Sequence, residues 1–168
     1  AVGPLLAGVM VFGLVPRSTF PLDGKAFSWR TLFPIAAWRK VLAIRAAAGY
    51  TAGYFVHCLE LFGSRAWMVA FLAFSSGLHA GGASFPWQLP AIAAVVNLAS
   101  VPASIVGNEI ALRMGRRRWI MIAMAGSGAS GILLGFSAPW FWAVVLAILF
   151  VYSMLVMAES ATLTAGLV

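Results

Sequence analysis

Three ionisable side chains lie close together in an apolar stretch of the chain, and they are the residues best suited to chemistry. His57, Glu60 and Arg65 occur within GYFVHCLELFGSRAWMVAF, which has no other charged group. An ionisable group inside a bilayer costs about 2.5–3.5 kcal/mol on insertion scales, so such groups commonly mark functional sites. A carboxylate can carry a proton, and an arginine can bind an anionic or polar solute. The stretch therefore predicts proton-coupled binding of a solute.

Helical spacing arranges these side chains into two faces. At 3.6 residues per turn, Tyr50, Tyr54, His57 and Arg65 fall within roughly 80° of one another. They form a polar stripe that can face a central cavity. Glu60 lies on a different face of the same helix.

Glu60 shares its face with Gly49 and Gly53, a pair of small residues that favours close packing against another helix. We interpret Glu60 as a protonation switch, with a structural hydrogen bond as the alternative. His57, one turn earlier, is within reach of Glu60. For His57 we favour the simpler interpretation, a ring bonded to a backbone carbonyl.

Other polar residues of the apolar stretches have two interpretations each. Arg65 either binds a solute or extends its charged end to the membrane interface. Asn97 either contacts solute or makes a hydrogen bond between helices, and we favour the second. Glu159 is interpreted as the solvated end of the last apolar stretch.

The composition indicates the solvent around these elements. The chain is 62% hydrophobic and only 9% charged, whereas a soluble domain carries about 25% charged residues. Bilayer-spanning helices need about 20 apolar residues each. We therefore predict an all-α, polytopic transmembrane bundle. Its spans are 41–74, 88–107, 118–136 and 138–158, after a truncated helix end (1–16) and a cytoplasmic loop (17–40), and truncation is expected at the C-terminus too.

The basic residues indicate orientation rather than nucleic-acid binding, despite a net charge of +7. They gather at the ends of apolar stretches, above all in GNEIALRMGRRR (residues 107–118). Excess Lys and Arg in short loops marks the cytoplasmic side. Trp87 and Trp140 fall in the opposite loops, where an aromatic belt is expected.

The arginine-rich stretch, set between two charge-free spans, resembles the loop signature of the major facilitator superfamily, roughly G-x-L-A-D-R-x-G-R-R. The matching positions are Asn108, Ile110, Ala111, Arg113, Gly115, Arg116 and Arg117, and Leu112 occupies the acidic position. The order of elements is similar to helices six to ten of a twelve-helix permease.

The resemblance implies a secondary transporter of the bacterial inner membrane that works by alternating access. Its partners would be the lipid bilayer, a small solute such as an organic anion, a coupling proton and the remaining helices of the permease. No cofactor and no metal are expected. The alternative is a non-transporting structural or regulatory membrane protein. Because nucleophile elbows, phosphate-binding loops and metal-ligand spacings are missing from the sequence, we do not expect an enzyme.

Overall fold

The computed structural model describes residues 2–14, 29, 33–79 and 85–166. The chain divides into two compact units, Ala1–Ile35 and Ala36–Val168. In the first unit, helix α1 (Val2–Leu14) is apolar and 13 residues long, which makes it about 20 Å. That is shorter than a hydrocarbon core of about 30 Å. Most of the predicted 17–40 loop lies outside the described residues.

The second unit is a bundle of helices. A short helix, α2 (Ile35–Ala43), leads into α3 (Arg45–Leu78), α4 (Leu89–Met114), α5 (Arg116–Ser137) and α6 (Trp142–Ala165). The last four are each long and apolar enough to cross a membrane. Helices are the only regular structure among the described residues. The prediction of an all-α chain is thus confirmed for the described residues, and four of its helices have the length and apolar character that a membrane span needs.

The turn between α4 and α5 is shorter than the sequence predicts. We expected a cytoplasmic turn between the spans 88–107 and 118–136, yet α4 continues to Met114 and only Gly115 separates it from α5. Gly115 has φ 93°, a left-handed conformation that glycine adopts without a Cβ clash. No helix-breaking proline lies between residues 107 and 115, so α4 remains helical past the end of its apolar span.

Helix α6 is the centre of the bundle and packs against α3, α4 and α5. Small residues allow these close contacts. A Cβ on Gly107 of α4 would collide with the backbone of Ala158, and one on Gly126 of α5 would press on Leu155. Gly131 of α5 faces the ring of Tyr152. Close helix approach through small residues is the usual packing mode in lipid.

The two ends of the bundle differ in character. At one end, here called the Ser137 end, Ser75 of α3 donates a hydrogen bond to the carbonyl of Ala138, at 2.7 Å. The apolar core lies toward this end and comprises Met68, Leu72, Phe85, Ile92, Ala93, Val96, Val145 and Leu149. The other end, here called the arginine end, holds Gly115, the start of α3 and the end of α6.

Large apolar side chains cover the outside of the bundle. Trp67 of α3, Ile105 of α4 and Phe136 of α5 are 72%, 75% and 73% exposed, respectively. Soluble monomers rarely display apolar surface on several sides at once. A surrounding of lipid acyl chains removes that cost, in agreement with the composition.

Candidate functional site

A buried pair of ionisable side chains joins α3 to α6. Nδ1 of His57 lies 2.8 Å from Oε1 of Glu159, and the two side chains are 1% and 0% exposed. We expected His57 to bond a backbone carbonyl and Glu159 to be solvated, and both expectations are wrong. Helix α6 continues beyond Glu159 to Ala165, so this carboxylate sits inside the bundle rather than at its edge.

Several buried polar atoms at this pair and next to it have no hydrogen-bond partner. Among the described residues these include Nε2 of His57, Oε2 of Glu159 and Oγ1 of Thr162. Thr162 lies three residues after Glu159 on α6 and is fully buried. Buried polar groups are nearly always satisfied by protein or by ordered water. Nε2 of His57, Oε2 of Glu159 and Oγ1 of Thr162 thus form a buried polar cluster between α3 and α6.

Glu60 lies one turn further along α3 and faces α5. Its Oε2 is 3.5 Å from Oγ of Ser127, which also lies 3.2 Å from the carbonyl oxygen of Met124. Ser127 is the twelfth residue of α5, about 17 Å from the start of that helix. Because α5 has 22 residues, Glu60 is held near the middle of the bundle.

Arg65 opens onto a narrow crevice among α3, α4 and α6. The crevice is lined by Asn97, Ser100, Ser153 and Met157, among others. An Nη of Arg65 lies 3.6 Å from the sulfur of Met157. Ser153 is about 17 Å from the start of α6, so this cation too is near the middle of the bundle. The Arg65 side chain is itself exposed, so solute binding and extension toward the membrane interface both stay predictions.

Asn97 is placed beside Arg65 but bonds within its own helix. Its Nδ2 donates to the carbonyl of Ala93 at 2.8 Å, and the sulfur of Met68 on α3 is 3.9 Å away. The shorter bond lies within α4, and the contact with Met68 is a weak hydrogen bond to another helix, as the favoured interpretation predicts. The amide oxygen has no hydrogen bond among the described contacts, which leaves an acceptor next to the arginine.

The two tyrosines of the predicted stripe lie closer to the arginine end. Tyr54 is 38% exposed and its ring lies 6.0 Å from the ring of His57. Tyr50 packs directly against Gly166, where a Cβ would collide with its ring. Tyr50 also lines a groove of about 770 Å³ together with Arg45 and Arg117. The polar stripe therefore does not face a single cavity. Tyr50 lines the groove, His57 lies against Glu159 and Arg65 lines the crevice.

The residues of the arginine-rich stretch form the end of α4 and the start of α5. Nε and Nη2 of Arg113 donate to Oε1 of Glu109 at 3.0 and 2.9 Å on the exposed surface. Arg116 donates to the carbonyl of Ala165, at 2.6 Å, and so joins α5 to the end of α6. The side chains at the other matching positions vary in burial: Ala111 is 1% exposed, Asn108 and Ile110 are partly buried, and Arg117 is exposed.

His57, Glu60 and Arg65 follow one another along α3, and each lies next to residues of another helix. It adds Glu159, whose role sequence reasoning missed. One signal was present: the buried positions of α6, including Val145, Leu149, Val156 and Glu159, recur at the three- to four-residue spacing of one helix face. Among the described residues, no three His, Cys, Asp or Glu side chains are arranged to hold a metal ion.

Comparison with known proteins adds no further constraint on this site. No family model matches the chain, and neither a curated protein nor a solved structure is significantly similar to it. The interpretation of the site accordingly depends on its geometry and chemistry.

Proposed function

We propose that this chain forms part of a secondary transporter of the major facilitator type, in which a small anionic or polar solute moves with a proton. The observation that carries the proposal is the series of ionisable side chains along α3: His57 paired with Glu159, then Glu60, then Arg65. Ionisable groups inside membrane bundles commonly form proton relays and solute pathways.

The three positions along α3 suit different roles. Arg65, with Asn97 beside it, provides a cation and an amide for a carboxylate or a similarly polar group. Glu60, half-buried beside Ser127, carries the coupling proton. Since its carboxylate lies beside the hydroxyl of Ser127, which can donate or accept, its protonated form keeps a partner, as a reversible proton carrier needs. The His57–Glu159 pair holds α3 against α6.

Alternating access supplies the transport cycle. In such transporters two helical bundles rock around a site near the middle of the membrane. Glu60 and Arg65 lie near the middle of their bundle, and four membrane-spanning helices would provide one side of the pathway. The remaining helices of a bacterial inner-membrane permease would provide the other.

Flux measurements on the complete transporter test the proposal. The protein is reconstituted into liposomes, and uptake from a panel of labelled mono- and dicarboxylates is measured with and without an inward proton gradient. Glu60→Gln should abolish gradient-driven accumulation while retaining solute exchange at equal pH. Arg65→Ala should lower both by at least roughly tenfold, which corresponds to the loss of about 1.4 kcal/mol of binding.

Matched controls use exposed charges of the same types. Glu109→Gln and Arg118→Ala change an acid and an arginine at the arginine end and should leave both fluxes near the wild-type level. If Glu60→Gln and Arg65→Ala behave like these controls, the ionisable groups only hold the helices together. The competing function, a non-transporting structural or regulatory membrane protein, would then account better for the bundle.

A further inference from the structure

A groove at the arginine end combines two cations with apolar walls. Arg45, the first residue of α3, and Arg117, in the first turn of α5, lie at its mouth. Met121, Met124 and Leu163 line its deeper part. From Arg117 to Met124 the groove runs about 10 Å along α5. A site with charge at the end of the bundle and apolar surface further in is complementary to an amphiphile.

The charges at the mouth favour an anion. Arg45 and Arg117 both occupy helix N-termini, where the helix dipole is already positive and acids are normally preferred. Neither α3 nor α5 has a side-chain N-cap, so no side chain neutralises the positive end of either helix dipole there. The three described acids lie elsewhere, because Glu60 faces Ser127, Glu109 pairs with Arg113 and Glu159 pairs with His57. This positive potential is not neutralised by a described acidic side chain.

The dimensions and the surroundings favour a lipid over a soluble anion. The groove encloses about 770 Å³, within the roughly 300–1,000 Å³ of ordinary ligand sites. Gly49 and Gly53 form part of its wall, and a Cβ on Gly49 would meet no atom within 4 Å. An acyl chain can therefore lie against α3 there. Basic pockets between membrane-spanning helices are known to take acidic lipid head groups.

We propose that this groove binds one anionic phospholipid, with its phosphate between Arg45 and Arg117 and one acyl chain along Gly49 and Met124. The inference is separate from the transport proposal and holds for any function of the bundle. Arg45 and Arg117 then do more than orient the helices in the membrane, since they retain a specific lipid in the groove between α3 and α5.

Native mass spectrometry of the purified chain tests this directly. Binding of phosphatidylglycerol is compared with that of phosphatidylcholine of the same acyl chains, and soluble glycerol phosphate serves as the probe for the head group alone. We expect one tightly bound phosphatidylglycerol and weak binding of the other two. The double variant Arg45→Gln/Arg117→Gln should weaken binding by roughly 30-fold, from about 1 kcal/mol per basic residue.

Two further variants separate charge from shape. Arg113→Gln/Arg118→Gln removes the same number of charges outside the groove and should retain binding. Gly49→Leu fills the groove without changing charge and should weaken lipid binding, whereas Gly63→Leu, whose Cβ also meets open space on α3, should not. The inference is overturned if the two double variants weaken binding equally, if Gly49→Leu has no effect, or if glycerol phosphate binds as tightly as the lipid.

Discussion

Replacing Gly107 by alanine tests how closely α4 and α6 must approach. A Cβ built on Gly107 lies 2.7 Å from both Cα and C of Ala158, and closer still to its carbonyl oxygen. Ordinary contacts of a Cβ begin near 3.4 Å, so the helices must separate by roughly 1 Å. The obstructing atoms belong to a backbone and cannot rotate away, as a flexible side chain could. Overpacking of this kind costs about 1–3 kcal/mol.

The separation also disturbs the neighbours of Ala158. Its carbonyl accepts a hydrogen bond from the Trp119 indole at 3.3 Å, and the next residue is Glu159 of the buried pair. Thermal unfolding in detergent micelles measures the effect, with a thiol-reactive fluorescent dye that reports exposure of the partly buried Cys58. At about 2–4 °C per kcal/mol for a chain of this size, Gly107→Ala should lower Tm by roughly 2–12 °C.

Gly128→Ala provides the matched control. Gly128 is also inside a helix, but a Cβ there meets no atom within 4 Å. Alanine is the better helix former by about 0.5–1 kcal/mol, so this variant should leave Tm unchanged or raise it slightly. Equal Tm values for Gly107→Ala and Gly128→Ala would refute the close crossing of α4 and α6.

The remaining predictions concern charges. His57→Leu and Glu159→Leu should each destabilise the bundle by about 3 kcal/mol or more, because each leaves an unpaired polar partner in the interior. The double variant should be less destabilised than the sum of the two, and additive Tm losses in the same unfolding assay would show that the residues do not pair. Arg113→Ala should change Tm by no more than about 2 °C, since its partner Glu109 is on the exposed surface, where ion pairs contribute little; a larger loss would indicate that the pair is structural. The purified chain alone, reconstituted into sealed vesicles, should not take up solute, because the four helices that the structure describes as long and apolar enough to cross a membrane cannot enclose a pathway between two bundles. Uptake by the chain alone would contradict that expectation.

The helices were predictable from the sequence because lipid imposes a simple requirement, about 20 apolar residues for each span. Their ends were less predictable. The sequence places the end of a span where charges begin, as at Glu109, but a helix that leaves the hydrocarbon can continue in water. Helix α4 continues past Glu109 to Met114, and the backbone takes a left-handed conformation at Gly115.

The partners of the ionisable side chains were not predictable from local spacing. His57 and Glu60 are one turn apart on α3, and from the sequence we weighed Glu60 and a backbone carbonyl as partners of His57. The ring instead lies against Glu159, 102 positions later in the chain. That contact depends on the antiparallel alignment of α3 with α6, which no single helix encodes. The position of Arg65 near the middle of the bundle likewise depends on which helices surround it.

The ionisable residues along α3 have both a structural and a functional explanation, and Glu60 is where the two can be separated. Loss of either His57 or Glu159 leaves an unpaired buried group, so reduced flux in those variants would follow from instability alone. Glu60 is different, because glutamine retains an oxygen that can accept from Ser127 while losing the ability to carry a proton. Glu60→Gln should therefore keep the wild-type Tm and lose only gradient-driven accumulation. A variant that melts normally and still accumulates solute would remove Glu60 from the proton pathway.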